Sequence, residues 1–284
     1  MQADQKQSFI LITGVSSGIG YDAVRFLTDK GYFVIGSVRK PEDLERIEKE
    51  FPDNFKGVLF DVRDKESIAA AKQEVENLLN GRSLTALINN AGLSIPGPIS
   101  MIPDEDFRIQ MEVNLFGVRN VTNAFLPLLG MDLNFKGIPG KIINISSLSG
   151  VINSPFSGSY CVSKHALESL GEIYRRELMM FGIDVISIQP GPIKSDIWEK
   201  NLGLMNLYKG TAYDQYAEIA DKIISTAEKE ALPTETISRL IHKIITSNKP
   251  KVSYMVSRNK FLMHLAKRMP PRLLDKLIWK RLNK

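Results

Sequence analysis

The chain has 284 residues, 43% of them hydrophobic and 24% charged, a balance that suits a folded chain with a full core and excludes a disordered or low-complexity one. A single cysteine, Cys161, excludes an internal disulfide and a cysteine-cluster metal site, and suits a reducing compartment. The formal charge of +5 is uneven: residues 257–284 hold nine Lys or Arg against Asp275, a net +8, which leaves −3 on the remaining 256 residues.

Residues 8–13 (SFILIT) form a short apolar run that breaks at GVSSGIG and is followed by helix formers over 21–30, so the chain opens strand, glycine turn, helix. Gly31 stops the helix, and 32–38 (YFVIGSV) reads as a second strand. A charged helical stretch at 41–50 leads to a third strand at 56–61, a helix at 65–79, and a fourth strand at 84–88 that runs into NNAG. Residues 104–129 carry one long helical pattern with Asp104 as its N-cap signal. A fifth strand (141–146) precedes the helix holding Tyr160; a sixth (183–189) is halted by PGP, and a seventh is placed at 252–256. Strands alternating with helices at this rhythm, each a nearly continuous apolar run, require right-handed crossovers and a parallel sheet covered on both faces. The expected architecture is α/β: one doubly wound parallel sheet of about seven strands over 1–256, with a helical extension over 257–284.

Two stretches carry chemistry. In Thr13-Gly14-Val15-Ser16-Ser17-Gly18-Ile19-Gly20, glycines between strand and helix let the backbone approach a pyrophosphate seated on the helix N-terminus; the bland alternative is an ordinary tight turn. In PFSGSYCVSKHALE, Tyr160 and Lys164 stand four residues apart, on one face of a helix. A phenol holds its proton to a pKa of about 10. An adjacent ammonium is expected to pull that value toward neutrality, where Tyr160 can act as acid or base. With eight tyrosines in the chain, the pair alone is weak. His165, His242 and His264 lack ligand spacing, so no metal is expected.

The turn's spacing is G-x-x-x-G-x-G, and with it the chain resembles the short-chain dehydrogenase/reductase family. Later motifs carry the same resemblance in the same order: Asn89-Asn90-Ala91-Gly92 after the fourth strand, Asn114 in VNLFG, Ser146-Ser147 with Ser147 thirteen residues before Tyr160, and Pro190-Gly191 after the sixth strand. The run around Tyr160 looks nearest the retinol and hydroxysteroid dehydrogenase branch. The resemblance implies a Rossmann fold and an oxidoreductase whose catalytic residues are Asn114, Ser147, Tyr160 and Lys164. Tyr160 would exchange the proton on the substrate oxygen and Ser147 would hydrogen-bond the developing alkoxide. Lys164 would lower the Tyr160 pKa and hold the nicotinamide ribose, while Asn114 would hold a water. Cofactor contacts are implied for Gly14, Ser16, Ser17, Gly18, Ile19, Gly20, Asp61, Val62, Asn90, Ala91, Gly92, Tyr160, Lys164, Pro190, Gly191, Ile193 and Ser195. Ser195 stands where the family often has Thr, and keeps the hydroxyl.

An acid at the end of the second strand would select NAD by binding the ribose 2′-OH and repelling a 2′-phosphate. The chain instead has Ser37-Val38-Arg39-Lys40, and Arg39 can fork a phosphate, so NADP(H) is expected over NAD(H). Leu93, Ile95, Pro96, Leu148, Val151, Pro155 and the segment 197–216, with Trp198, Leu202, Leu204, Met205 and Tyr208, suggest an apolar lining under a lid over about 193–231. A hydrophobic alcohol, ketone or aldehyde is the expected substrate; the rival reading is an NADP(H)-binding regulator or scaffold without turnover, although such relatives usually lack Tyr or Lys.

The resemblance implies a homodimer or homotetramer. Nucleic acid is not expected, since only the tail is basic and it lacks interleaved aromatic platforms. A cytoplasmic protein is expected, from a polar start and no long apolar stretch. The tail, split by Pro270-Pro271, reads as two amphipathic helices, with Leu273, Leu274, Leu277, Ile278 and Leu282 on one side; it either docks on the enzyme or contacts a membrane peripherally.

Overall fold

The computed structural model describes residues 8–195 and 203–283. In order, the elements are β1 (Phe9–Thr13), α1 (Gly18–Asp29), β2 (Phe33–Val38), α2 (Pro41–Glu50), β3 (Phe55–Leu59), α3 (Lys65–Leu79), β4 (Ala86–Asn89), α4 (Asp104–Met111), α5 (Val118–Phe125), β5 (Lys141–Ile145), α6 (Gly158–Glu177), β6 (Asp184–Pro190), α7 (Ala217–Lys229), α8 (Glu235–Thr246), β7 (Ser253–Val256), α9 (Lys260–Arg268) and α10 (Pro271–Leu282). The seven strands pair in parallel in the order β3-β2-β1-β4-β5-β6-β7. The order reverses between β1 and β4, which opens a crevice at the carboxyl ends of the strands.

The apolar strands divide two cores between the faces of the sheet. Phe9 and Leu11 join one with α3 and α5; Ile10 and Ile12 join the other with α1, α2 and α8. The same alternation sends Ile142 and Val185 to the first core, and Ile143, Ile145, Ile186 and Ile188 to the second. Each fully buried side chain of this kind contributes roughly 1.5–3 kcal/mol. Burial on both faces explains why the strands read as unbroken apolar runs.

The segment expected as one helix over 104–129 is divided. Pro103, not Asp104, is its cap residue and makes no side-chain cap; Asp104, Glu105 and Asp106 occupy the first turn, where carboxylates meet the positive helix end. A π-helical turn, Glu112–Gly117, separates α4 from α5, and Pro127, which lacks an N–H, helps tighten Leu126–Leu129 into a 3-10 turn. The first helix starts at Gly18, earlier than expected, because the glycine turn feeds directly into it. Strand limits differ from expectation by one or two residues.

The excursion over 193–232 leaves and rejoins the body at one point. Ile193 bridges Leu232, Lys194 N–H donates to Leu232 O (2.9 Å), and Leu232 N–H donates to Pro192 O (2.9 Å). Among the described residues no helix is long and apolar enough to cross a membrane.

Helices α1 and α8 are also joined through a buried polar contact. Ser238 Oγ donates to Asp22 Oδ2, and Arg25 Nη2 donates to Asp22 Oδ1 at 2.8 Å, which holds the guanidinium charge more firmly. Asp22→Ala leaves a fully buried hydroxyl without its acceptor. A loss of about 1–3 kcal/mol is expected, read as a lower urea midpoint at unchanged m-value; an unchanged midpoint refutes it.

Candidate active site

The glycine turn is fastened to both neighbouring strands. Gly14 and Val15 N–H both donate to Ser37 O at 3.0 Å. Thr13 Oγ1 accepts from Asn90 and Ala91 N–H at 2.9 Å, while Asn90 Nδ2 donates to Thr13 O and Gly14 O at 2.9 Å. Gly14 and Gly18 have φ of +70° and +59°, which side chains rarely tolerate. Gly20 needs closeness instead: a Cβ there would lie 2.3 Å from Gly14 O and 2.5 Å from Asn90 Nδ2.

At the start of α1, the Ser17 side chain caps nothing and the first turn holds no acid. The leading amides are therefore available to an anion at the positive end of the helix dipole. Ser16 presents its carbonyl to Arg46 Nη2 at 2.7 Å, and the same guanidinium lies 5.5 Å from the Tyr21 ring centre. Ser195 reaches over this turn, its Cβ 3.5 Å from where a Gly18 Cβ would stand. These features fit a dinucleotide pyrophosphate.

Arg39 is exposed at the end of β2. Beyond β3, Asp61 accepts from Arg63 Nε and Nη2 at 3.0 and 2.7 Å, and that guanidinium, helped by Arg39, holds its carboxyl below the usual range. Val62 is buried and packs towards Gly117, where a Cβ would lie 2.6 Å from its methyl. Arg39 and Asp61 thus stand at the ends of β2 and β3, three and four strands from Ser147 after β5, or roughly 14 and 19 Å at the usual strand spacing.

Ser147, Tyr160, Lys164, Asn114 and Gly92 converge at the other end. Ser147 follows β5, opens a 3-10 turn, and accepts from Ser149 N–H at 3.0 Å. Its hydroxyl is near enough to the Tyr160 phenol to favour the ionised form of that group. Lys164 is 4% exposed; its Nζ donates to Ile145 O at 2.9 Å and lies 5.7 Å from the Tyr160 ring centre. The fully buried Asn114 grips Leu93 twice, accepting from its N–H and donating to its C=O at 2.9 Å, and donates to Ser163 Oγ at 3.0 Å. Its π turn is the local widening that often marks functional helices. A Cβ on Gly92 would lie 3.3 Å from Asn114 Oδ1 and 3.7 Å from Lys164 Nζ.

Burial lowers Lys164 to about 8, against an opposing pull from Glu168. Tyr160 moves the other way from the expectation: desolvation pushes its phenol up, and only the Ser147 hydroxyl draws it down. The reason is geometric. The ammonium binds the Ile145 carbonyl and lies beside the ring, so its charge does not offset the loss of water around the phenol.

Leu93, Ile95, Pro96, Leu148 and Val151 are half-buried around this centre, while Pro155 is exposed. Phe156 adopts φ +62°, a strained conformation for a bulky side chain, and its carbonyl accepts from Gly97 N–H at 2.7 Å. Its ring meets Tyr213 and Tyr216 of the excursion at 6.2 and 5.8 Å, and Tyr208 is buried beside Gly97. Leu204 is half-buried; Trp198 and Leu202, expected in the lining, lie outside the described residues.

Residues 8–203 match the family model for short chain dehydrogenases. The chain belongs to the short-chain dehydrogenase family. It is 39% identical over 277 residues to the NADPH-dependent 3-dehydrocapnine reductase of Ornithobacterium rhinotracheale, covering 97% of this chain and 98% of that one. It is 30% identical over 288 residues to human (Homo sapiens) retinol dehydrogenase 16, covering 96% and 88%. Its fold is similar to the crystal structure of a short-chain dehydrogenase from Streptomyces avermitilis, with a TM-score of 0.77 at 24% identity over 99% and 98% of the two chains. As a short-chain dehydrogenase the chain is an oxidoreductase.

Several residues around this short-chain dehydrogenase site were not singled out from the sequence. Thr13 and Arg46 fasten the glycine turn, Ser163 shares Asn114, and Phe156 meets the excursion. Only Phe156 left a signal, its place in the short loop before the Tyr160 helix.

Because Lys164 falls from 10.5 to about 8 on folding, the unfolded chain binds more protons between those values. Stability therefore rises with pH across that window, and the burial penalty is complete below it. Lys164→Met removes a penalty on the order of 3 kcal/mol, less about 1 for the lost hydrogen bond. The variant is expected to be about 2 kcal/mol more stable than the wild type at pH 7, with the gain vanishing near pH 10. Parallel urea titrations at both pH values test this, and a pH-independent difference contradicts it.

Proposed function

We propose that the chain interconverts a hydrophobic alcohol and its ketone or aldehyde with NADP(H), with Tyr160 as the general acid and base. The carrying observation is the convergence at the end of β5 of Ser147, the Tyr160 phenol and the buried Lys164 ammonium, which lies 5.7 Å from the Tyr160 ring centre. In reduction, Ser147 and Tyr160 hydrogen-bond the substrate carbonyl oxygen, and Tyr160 gives that oxygen its proton as the carbon gains a hydride. The dinucleotide, when bound, supplies the hydride and its electron pair. The raised phenol keeps the proton in place at neutral pH until the substrate oxygen becomes basic enough to take it. Lys164 stabilises the phenolate left behind, and Asn114 keeps Leu93 and Gly92 aligned beside the ammonium.

Selection for NADP(H) rests on Arg39 at the end of β2 and on the absence of an acid there; Asp61 is already matched by Arg63. The relative named as an NADPH-dependent reductase supports this. The half-buried apolar side chains around Tyr160, and the relative named retinol dehydrogenase 16, support an apolar substrate.

Consumption of NADPH with a panel of apolar ketones and aldehydes tests the reading; no turnover on any of them would favour a regulator or scaffold. Tyr160→Phe removes the proton donor while sparing the glycine turn. Turnover is expected to fall ~10²–10⁴-fold with NADPH binding retained, and near-normal turnover rejects the mechanism. Arg39→Ala removes a charge-assisted contact of about 1.5–3 kcal/mol and is expected to weaken NADPH roughly 10- to 150-fold while barely changing NADH. Equal losses for both cofactors would show that the end of β2 does not read the 2′-phosphate.

A further inference from the structure

The segment beyond β7 leaves apolar side chains uncovered beside a concentration of positive charge. Helix α9 has no buried residue. Phe261 is 84% exposed, Leu262 53%, Leu265 50%, Leu273 48%, Leu277 49% and Trp279 60%. The single apolar side expected for the second helix is in fact two stripes: Leu274 and Ile278 are half-buried and Leu282 buried, while Leu273 and Leu277 face outward. Arg272, Lys276 and Lys280 are exposed along the border of the outward stripe, each one position from an apolar residue on it or, for Lys280, from Trp279.

We propose that α9 and α10 seat on an anionic lipid surface, with the outward leucines, Phe261 and Trp279 entering the headgroup boundary and the cations holding the lipid phosphates. Interfacial helices need an apolar stripe bordered by long cationic side chains that reach back to the charged layer. The charge distribution chooses the occupant. The segment carries +8 and the rest of the chain −3, so a second copy would bring two +8 surfaces together, whereas a negatively charged bilayer complements both the charge and the apolar stripe.

The segment also leaves the sheet at the carboxyl end of its edge strand. Strand β7 runs parallel to β6, Val256 O accepts from Gly191 N–H at 2.7 Å, and Ser257 Cβ lies 3.3 Å from where a Gly191 Cβ would stand. The tail thus begins at the carboxyl end of the sheet, the same end at which the crevice opens. That an apolar substrate enters from the bilayer is a consequence resting on the proposed function; surface binding itself does not.

The full chain is to be sedimented with phosphatidylserine-containing vesicles and with pure phosphatidylcholine vesicles at low and high salt. Co-sedimentation with the anionic vesicles alone, released by salt, is expected, with a blue shift of the Trp279 emission that Trp279→Phe abolishes. Lys276→Glu with Lys280→Glu lie at exposed positions and should lower partitioning at least 25-fold, at about fivefold for each cation removed. Leu273→Ser with Leu277→Ser should also release the protein. Retention in the supernatant, equal binding to neutral vesicles, or indifference to charge reversal overturns the proposal. So does a gel-filtration mass that falls when Leu273 and Leu277 are replaced, since a second copy would then cover the stripe. Turnover of a water-soluble ketone, measured alongside, reports on the catalytic reading separately.

Discussion

The candidate active site depends on an ammonium kept almost out of water. Lys164 Nζ donates a hydrogen bond to Ile145 O and lies beside the Tyr160 ring in a position that is 4% exposed. Burial lowers the affinity of Lys164 for protons and, acting separately on Tyr160, raises that of the phenol, because desolvation disfavours both charged forms. Each favours its neutral state relative to water. Tyr160 and Lys164 are thus two neighbours that burial shifts in opposite directions, rather than a tyrosine activated by the charge of its neighbour.

Holding such a pair requires a rigid frame. The frame is the parallel sheet: β5 delivers the Ile145 carbonyl and Ser147, β4 delivers Asn90 to Gly92, and β1 delivers the glycine turn that Asn90 ties back to Thr13 and Gly14. Asn114 completes it from a π turn that is fixed to Leu93 on one side and Ser163 on the other. The strands end together because both faces of the sheet are buried, so none can slip in register without moving apolar side chains between cores.

The fold was legible because double-sided burial makes each strand an apolar run and each helix an interruption of it. The glycine turn was equally legible, since positive φ and close approach leave glycine little competition at Gly14, Gly18 and Gly20. Less of the site's behaviour could be read. The π turn at Asn114 was hidden because Val113, Gly117 and Val121, each four residues apart, continue an ordinary helical spacing through it. The direction of the Tyr160 shift was missed because spacing reports that two side chains share a helix face, not how much water surrounds them. The two stripes of α10 were merged for a similar reason: Leu273 and Leu274 are adjacent in sequence, and only packing distinguishes the exposed one.

The buried Lys164 ammonium is tested most directly by the pH dependence of kcat/KM for carbonyl reduction in the wild type and in Lys164→Arg. The account predicts that the wild-type rate falls above an ionisation within about one unit of 8, as the Tyr160–Lys164 pair loses a proton. In the arginine variant that limb moves upward by several units, because the guanidinium does not deprotonate in this range. A fall at the same pH in both proteins, or a wild-type profile flat through that region, would contradict it.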